Sequence, residues 1–580
     1  MNLLWVVLGS AAILALAYAL YGPLLARLFR LDPTVTTPAV ELRDDVDYSP
    51  IEPKFLMSQH FSAIAAAGPI VGPIAAGLLF GWLPALIWIL IGSIFIGGVH
   101  DFGSLVASIR HKARSIAQIV REHMTRRSYL LFLAFVWIAL VYIIVAFTDV
   151  VANSFVGSQT LEDKTVVTGA GIASSSLLYL MLPLLMGLLL HYTKLSLGLA
   201  TVLFLPLVGA AIWAGQFIPL DLASALDLSD HQATKAWGVL LLGYCFVASL
   251  VPMWLLLQPR GHLGGYFLYT ALALCAVGLV FGGHTVKYPD YIAWDSAKGP
   301  LVPLLFITIA CGACSGFHSI ICSGTTSKQL KRETDAKCIG YGSMLLEGLV
   351  AVVSLSCVMM LTEEQAKSFT GKPNLLYANG LSNFMSVLHI QKAFGIAFGL
   401  LAFTTFVYDT LDVCTRLGRY IIQELLGWQG RAGRWGATVL TAGVPLIFLL
   451  PTIRDAAGNP VQTWRHYWDL FGASNQLLAA LTLIGVTVWL HRTYKAWWVW
   501  LVAGLPTLFM YVISSWALLR FISAGFISKE GALQMSKDPV PWVALILLAL
   551  AALLLVEAIK VFTGFGLPPP RRPEPVPSAS

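Results

Sequence analysis

Apolar runs of about 20 residues recur from one end of the chain to the other, and this recurrence limits the fold more than any other feature. Coiled as a helix, such a run crosses about 30 Å of hydrocarbon. A soluble protein can bury one or two. It cannot bury roughly fifteen without far more polar surface to cover them. Of the 580 residues only 12% are charged and 57% are hydrophobic, whereas soluble domains carry about 25% charge. The pattern predicts an all-α polytopic membrane protein with about fifteen transmembrane helices and no soluble domain large enough to house a separate enzyme. Function must then reside among the helices.

An odd number of spans places the termini on opposite sides. The basic stretches RHKARSIAQIVREHMTRR (110–127), SKQLKRETDAK (327–337) and the segment from Arg416 to Arg434 all fall on one side, which the positive-inside rule makes cytoplasmic. The acidic loops SQTLEDKT (158–165) and PLDLASALDLSD (219–230) fall opposite. The N-terminus is therefore expected outside and the C-terminus inside. MNLLWVVLGSAAILALAYAL has no basic n-region and reads as a retained span, although ALAYA mimics a cleavage site. The expected organisation is a first span and cytoplasmic loop (1–58), a core (59–490), C-terminal spans (491–563) and a proline-rich, disordered cytoplasmic tail (564–580). The eight cysteines lie in or beside apolar segments, as small packing residues would, and do not form a disulfide framework.

Two spans are interrupted. HFSAIAAAGPIVGPIAAGLL (60–79) carries Pro69 and Pro73, which lack an amide donor, each preceded by a glycine, Gly68 and Gly72. ACGACSGFHSIICSGTTSKQ (310–329) is punctuated by Gly312, Gly316 and Gly324. Backbone groups freed at membrane depth need partners from protein, water or ligand, and secondary transporters build binding sites from such breaks. The two segments are seven spans apart and so run in opposite directions, as the halves of an inverted repeat must. A five-span repeat then needs two inserted helices, with 236–257 and 264–283 as the expected pair.

Ionisable groups inside spans are costly and mark candidate sites. They are His60 beside Gln59 and Ser62, the pair His100–Asp101, Asp149, His318, Glu347, and Asp409 and Asp412. A buried histidine–carboxylate pair can exchange a proton as solvent access alternates, because burial disfavours the charged form of each. His318 is surrounded by Ser315, Ser319, Thr325 and Thr326, whose hydroxyls suit an anionic group or a bare Na+. Asp412 and Arg416 form an i, i+4 pair expected at the cytoplasmic boundary. Asp149 is expected to cap or line the outer mouth, and WDLFGASNQ places Asp469, Ser474, Asn475 and Gln476 at a span entrance. Cys311, Cys314 and His318 share a helical face, but the breakers disrupt that face and no metal site is assigned. No GxxxxGK[ST] loop is present, which argues against a self-contained ATP-driven pump.

HFSAIAAAGPIVGP, GGVHDF, CSGFHSIICSGTTSKQ, YDTLDVCTRLGRY and WDLFGASNQLLAA together resemble the carbon starvation protein A (CstA) family, over roughly residues 50–490. The resemblance implies a multi-pass uptake transporter of the bacterial inner membrane, associated with proton-coupled pyruvate uptake and import of short peptides. It also implies a LeuT-like core of two inverted five-helix repeats whose first and sixth helices are broken, here near 60–81 and 301–325. The region after 490 is shorter than in longer members. The function expected on this basis is secondary active uptake of pyruvate or short peptides, with H+ favoured over Na+ as driving ion. No other cofactor, no enzyme activity and no nucleic-acid partner are expected, and the partners are the small solute and the lipid bilayer. A Na+-coupled peptide or amino-acid symporter, a passive channel and a metal-dependent sensor are the alternatives. Candidate substrate-binding residues are His60, Ser62, Gly68, Gly72, Gly316, His318, Ser319, Thr404, Thr405 and Asn475; candidate coupling residues are His100, Asp101, Asp409, Thr325 and Thr326.

Overall fold

The computed structural model describes residues 1–44, 48–160, 166–296, 298–454, 458–528 and 531–564. Most of the acidic loop 158–165 and the tail beyond Gly564 lie outside the described residues. The helices that carry the fold are α1 (Leu3–Leu28), α2 (Pro53–Ile64), α3 (Gly68–Phe80), α4 (Trp82–Arg110), α5 (Ile116–His123), α6 (Arg126–Ser154), α7 (Gly169–Tyr192), α8 (Leu197–Gly215), α9 (Asp230–Leu250) and α10 (Leu257–Phe281). They continue as α11 (Leu301–Thr308), α12 (Gly316–Gly324), α13 (Glu333–Met359), α14 (Pro373–Met385), α15 (Lys392–Leu426), α16 (Gly430–Leu449), α17 (Thr463–Tyr494), α18 (Trp500–Phe526) and α19 (Pro539–Thr563). Thirteen are long and apolar enough to cross a membrane singly, and α2–α3, bent by 47°, makes a fourteenth span. The interrupted pair α11–α12 supplies the remaining run that the sequence pattern requires.

Local chemistry sets the helix ends. Ser229 and Gln232 form a reciprocal capping box at the start of α9, and Ser115 caps α5 through the amide of Gln118. Both satisfy amides that would otherwise be left without partners. α15 stops at Gly427, whose φ of 68° suits a residue without a Cβ.

Packing reveals an inverted repeat. The pairs α2–α3 and α11–α12, α4 and α13, α6 and α15, α9 and α16, and α10 and α17 occupy corresponding places. α10 lies along the first broken span as α17 lies along the second; α4 packs on α12 as α13 packs on α3; and α9 joins α6 as α16 joins α15. The short helices obey the same rule. α5 rests on α6, α17 and α12 at one end of the bundle, and α14 rests on α15, α10 and α3 at the other.

This correspondence corrects one expectation. The inserted pair is α7–α8, not the helices near 236–257 and 264–283. α9 and α10 hold core positions, while α7 and α8 pack against each other on the outside of α10 and α15 and expose Leu177, Leu185, Leu199, Val202 and Leu203 to lipid. Span parity alone is blind to this choice, because any even-numbered insertion preserves the inversion.

Candidate functional site: two breaks and two buried ionic clusters

The two breaks meet. A Cβ on Gly72 would lie 2.5 Å from the Thr308 carbonyl oxygen, one on Gly312 would lie 3.5 Å from Pro69 Cα, and Gly68 faces Cys311. Pro69 falls where it costs little, whereas Pro73 lies inside α3 and removes an amide donor there. The first interruption covers residues 65–67, so Pro69 enters the first turn of α3, whose amides have no helical partner in any case.

The backbone freed by the second break is satisfied by protein. Gln476 Nε2 donates to the carbonyls of Phe306 (3.1 Å) and Ala310 (3.3 Å), and the Trp88 indole donates to Ile309 (3.2 Å). At the start of α12 the Phe317 amide donates to Asn475 Oδ1 at 3.0 Å, and Asn475 Nδ2 donates to Ser315 Oγ at 3.0 Å. Gly316 allows the close approach: a Cβ there would lie 2.5 Å from the Asn475 carbonyl oxygen. Ser319 bonds Thr482 at 3.0 Å and the Gly316 carbonyl at 2.7 Å. Gly68, Gly72, Gly316, Ser319 and Asn475 thus hold the crossing of the breaks together.

Beside this crossing lies a cluster of two histidines and two carboxylates. Asp101 receives His100 Nδ1 at 2.7 Å on one oxygen and His318 Nδ1 at 2.8 Å on the other. His318 Nε2 is 3.3 Å from Glu347 Oε2. All four side chains are completely buried. They come from α4, α12 and α13, and no lysine or arginine pairs with them among the described residues. His318, a candidate substrate-binding residue, bonds Asp101, a candidate coupling residue. Glu347, recognised in the sequence without a role, completes the set.

A second cluster holds a permanent cation. Arg260 Nε forms an ion pair with Asp409 at 2.9 Å, and Arg260 Nη1 bonds both Asp412 and the Tyr244 hydroxyl. The Tyr244 hydroxyl donates to Asp412 at 2.7 Å, and Ser62 donates to Asp409. The Tyr408 and Tyr244 rings lie 5.1 and 5.5 Å from the guanidinium carbon. Gly264 leaves room for this arrangement, since a Cβ there would sit 2.6 Å from both Asp409 Oδ2 and Ser62 Oγ. The expected Asp412–Arg416 pair is replaced. Asp412 turns to Arg260, and Arg416 donates to the Ala248 and Val251 carbonyls at the end of α9, each at 2.7 Å, where a cation opposes the negative helix terminus. The sequence reading missed Arg260 because its span limits left 258–263 in a loop. α10 begins at Leu257, which places Arg260 inside a span, the signal that would have found it.

His60 stands between the clusters. Its Nδ1 is 2.8 Å from Thr326 Oγ1, and its Nε2 is 4.0 Å from Cys322 Sγ, one helical turn beyond His318 on α12. His60, Thr325, Thr326 and Asp409 line a crevice of about 20 Å³, room for roughly one water. Gln59 is shared between this crevice and a cavity of about 240 Å³ on the face that carries the basic loops, which His262 and Trp254 also line. At the opposite face a cavity of about 320 Å³ is rimmed by Asn153, His231, Lys372 and Gln462. Near it Asp149 accepts the Trp464 amide at 2.9 Å, the capping role expected of it. Asp469 meets Lys298 at 2.8 Å. Thr404 lies 3.3 Å from Ser176, Thr405 is buried beside it, and Thr325 bonds the Ile321 carbonyl of its own helix.

The family model described as "Carbon starvation protein CstA" matches residues 2–374 and 362–517. The chain belongs to the CstA family. It is 31% identical to the peptide transporter CstA of Helicobacter pylori (strain J99), the match covering 85% of this chain and 78% of that protein. It is 30% identical to the pyruvate/proton symporter BtsT of Escherichia coli K12, covering 89% and 81%. The peptide transporter CstA of Bacillus subtilis is 28% identical over 97% of both chains. Among solved structures the chain is similar to a manganese transporter of Eremococcus coleocola (TM-score 0.47, 11% identity, 90% of this chain and 99% of that one). It is also similar to MhsT in complex with L-phenylalanine (TM-score 0.45, 12% identity, 89% and 99%). This CstA-family chain is a multi-pass membrane protein, and the named members it matches are transporters, not enzymes.

Proposed function

We propose that this chain is a proton-coupled symporter that imports a small carboxylate-bearing solute, pyruvate or a short peptide, through the bacterial inner membrane. The basic loops face the cytoplasm and the N-terminus lies outside. The observation that carries this reading is the set His100, Asp101, His318 and Glu347. Its members can exchange a proton among themselves without stranding a permanent charge in the membrane, and they bridge the broken span α12 to α4 and α13. A proton arriving at this set changes the charge on α12, the half-helix that must move if access alternates about the crossing. His60 gives the set a neighbour on the cytoplasmic crevice.

H+ is favoured over Na+ by the second cluster. The carboxylate of Asp409, which with the Ser62 hydroxyl would suit a bare cation, is already paired with the Arg260 guanidinium and accepts the Ser62 hydroxyl hydrogen. The transport cycle needs no cofactor beyond the driving proton. Pyruvate and peptides both carry a carboxylate, which agrees with the names of the relatives. The test is uptake by proteoliposomes holding the purified chain, with labelled pyruvate and a labelled dipeptide, under an imposed pH gradient or an imposed Na+ gradient. Accumulation driven by the pH gradient alone is expected. Accumulation driven only by Na+, or equilibration without accumulation under either gradient, would refute the proposal.

A further inference from the structure

We propose a divalent transition-metal site on the basic face, formed by His111, Glu122 and His123 and separate from the transport path. It departs from the sequence expectation of no metal. α4 ends at Arg110, and the chain then reverses through Lys112 and Ala113, whose φ values of 59° and 53° are left-handed. Ser108 Oγ donates to the Arg114 carbonyl at 2.8 Å and closes this turn. α5 then carries its last residue, His123, back against His111. The two Nε2 atoms stand 2.8 Å apart, and one ligating atom from each of the three side chains falls within 4.8 Å of the others.

The His111 tautomer suits ligation, and the proton that His123 Nε2 donates to it must leave that nitrogen when a metal binds. His111 Nδ1 donates to the Ala107 carbonyl at 2.6 Å, which leaves its Nε2 bare of hydrogen and aimed at His123. This is how a metal-ligating imidazole is usually oriented, with the far nitrogen anchored to a backbone carbonyl. Tetrahedral nitrogen ligands about 2.0–2.1 Å from one metal stand about 3.4 Å apart, so the two rings, now joined by a hydrogen bond, need part only slightly to admit an ion. The surroundings fix the rings in place. The Trp489 ring lies 5.8 Å from the His111 ring, edge on, and Arg492 donates to the His123 carbonyl at 2.8 Å.

Two imidazoles and a carboxylate favour Zn2+, Ni2+ or Cu2+ over Mg2+ or Ca2+. Glu122 is exposed and leaves positions open to water. Arg114, 3.9 Å from Glu122, competes for the carboxylate and weakens the site. A metal here would tie the end of α4 to α5, which rests on α17 and α12, and so restrain the helix that matches α14 at the other end of the repeat.

The test uses untagged full-length protein in detergent, titrated by calorimetry with Zn2+, Ni2+ and Mg2+, with thermal unfolding read in parallel. One Zn2+ or Ni2+ per chain and no Mg2+ response are expected. His123→Gln should weaken Zn2+ binding at least ~100-fold and abolish the metal-induced rise in Tm. Glu122→Gln, at an exposed position that leaves folding intact, should weaken it about tenfold. Arg114→Gln should tighten it, an effect that mere packing of two histidines would not produce. Absence of stoichiometric Zn2+ binding, or binding unchanged in both His123→Gln and Glu122→Gln, would overturn the proposal.

Discussion

The two buried clusters beside the first broken span differ in one respect that decides what each can do. The Arg260 cluster contains a guanidinium that stays charged at any relevant pH, set against Asp409 and Asp412. The Asp101 cluster contains only groups that can lose their charge by gaining or losing a proton. A buried permanent charge must keep its counter-ion, because breaking the pair strands the charge in a low dielectric. A carboxylate held between two imidazoles carries no such obligation. The difference suits the first cluster to holding helices together and the second to the proposed coupling, and it can be broken experimentally at several points.

The largest effect is expected from Asp101→Asn. Both oxygens of Asp101 accept from imidazoles, so the amide keeps the shape while removing the titratable group. Uptake driven by a pH gradient should fall on the order of 100-fold, the usual effect of losing a positioned acid–base group, while exchange of labelled for unlabelled substrate at equal pH persists. If driven uptake in the variant matched wild type, the coupling assignment would be wrong.

Arg260→Met attacks the other cluster. It leaves two buried carboxylates without their cation and should cost about 3–5 kcal/mol, read as a fall in thermal stability in detergent. Adding Asp412→Asn to the same chain should recover part of the loss, because the surplus charge goes with it. If Arg260→Met were as stable as wild type, or if the second change restored nothing, the cluster would not be the structural one. A Na+ dependence gained by the stable double variant would sharpen the contrast further, by showing that the guanidinium had held a cation's place.

How much of this was legible in the sequence varied with the kind of interaction. The spans and both breaks follow from composition and from glycine and proline, which act locally. His100–Asp101 was visible as adjacent letters. That His318 and Glu347 join them was not, because α12 and α13 reach Asp101 only after the bundle has formed. Arg260 was lost for a different reason: a span boundary set by mean apolarity excludes a charged residue at a helix start, although its partners on α15 wait inside. The inserted pair α7–α8 was misplaced because parity carries no information about which helices face lipid.

The crossing of the breaks gives a smaller but more local test. Gly316 on α12 lies so near the α17 backbone at Asn475 and Ala479 that Gly316→Ala must push the helices apart. Overpacking of this kind costs about 1–3 kcal/mol, and Asn475 would lose its grip on the Phe317 amide. A change on the other broken span, Gly72→Ala, meets the Thr308 carbonyl oxygen instead. Similar losses of thermal stability in both variants would mean that the two breaks contribute alike to one crossing. A loss in only one would mean that the repeat is symmetric in outline and not in load.

The smallest expected effect concerns how the second break is paid for. Gln476 supplies amide hydrogens to the carbonyls of Phe306 and Ala310, so Gln476→Leu keeps the volume and removes the donor. The Ile309 carbonyl retains the Trp88 indole, and the Ala310 carbonyl retains the Cys314 amide at 3.0 Å. Only Phe306 then loses a side-chain partner outright, and the cost should fall near 1 kcal/mol, the low end for an unsatisfied buried acceptor. A thermal shift several times larger would mean that Gln476 organises the break itself, and the comparison between the two spans would then turn on this side chain.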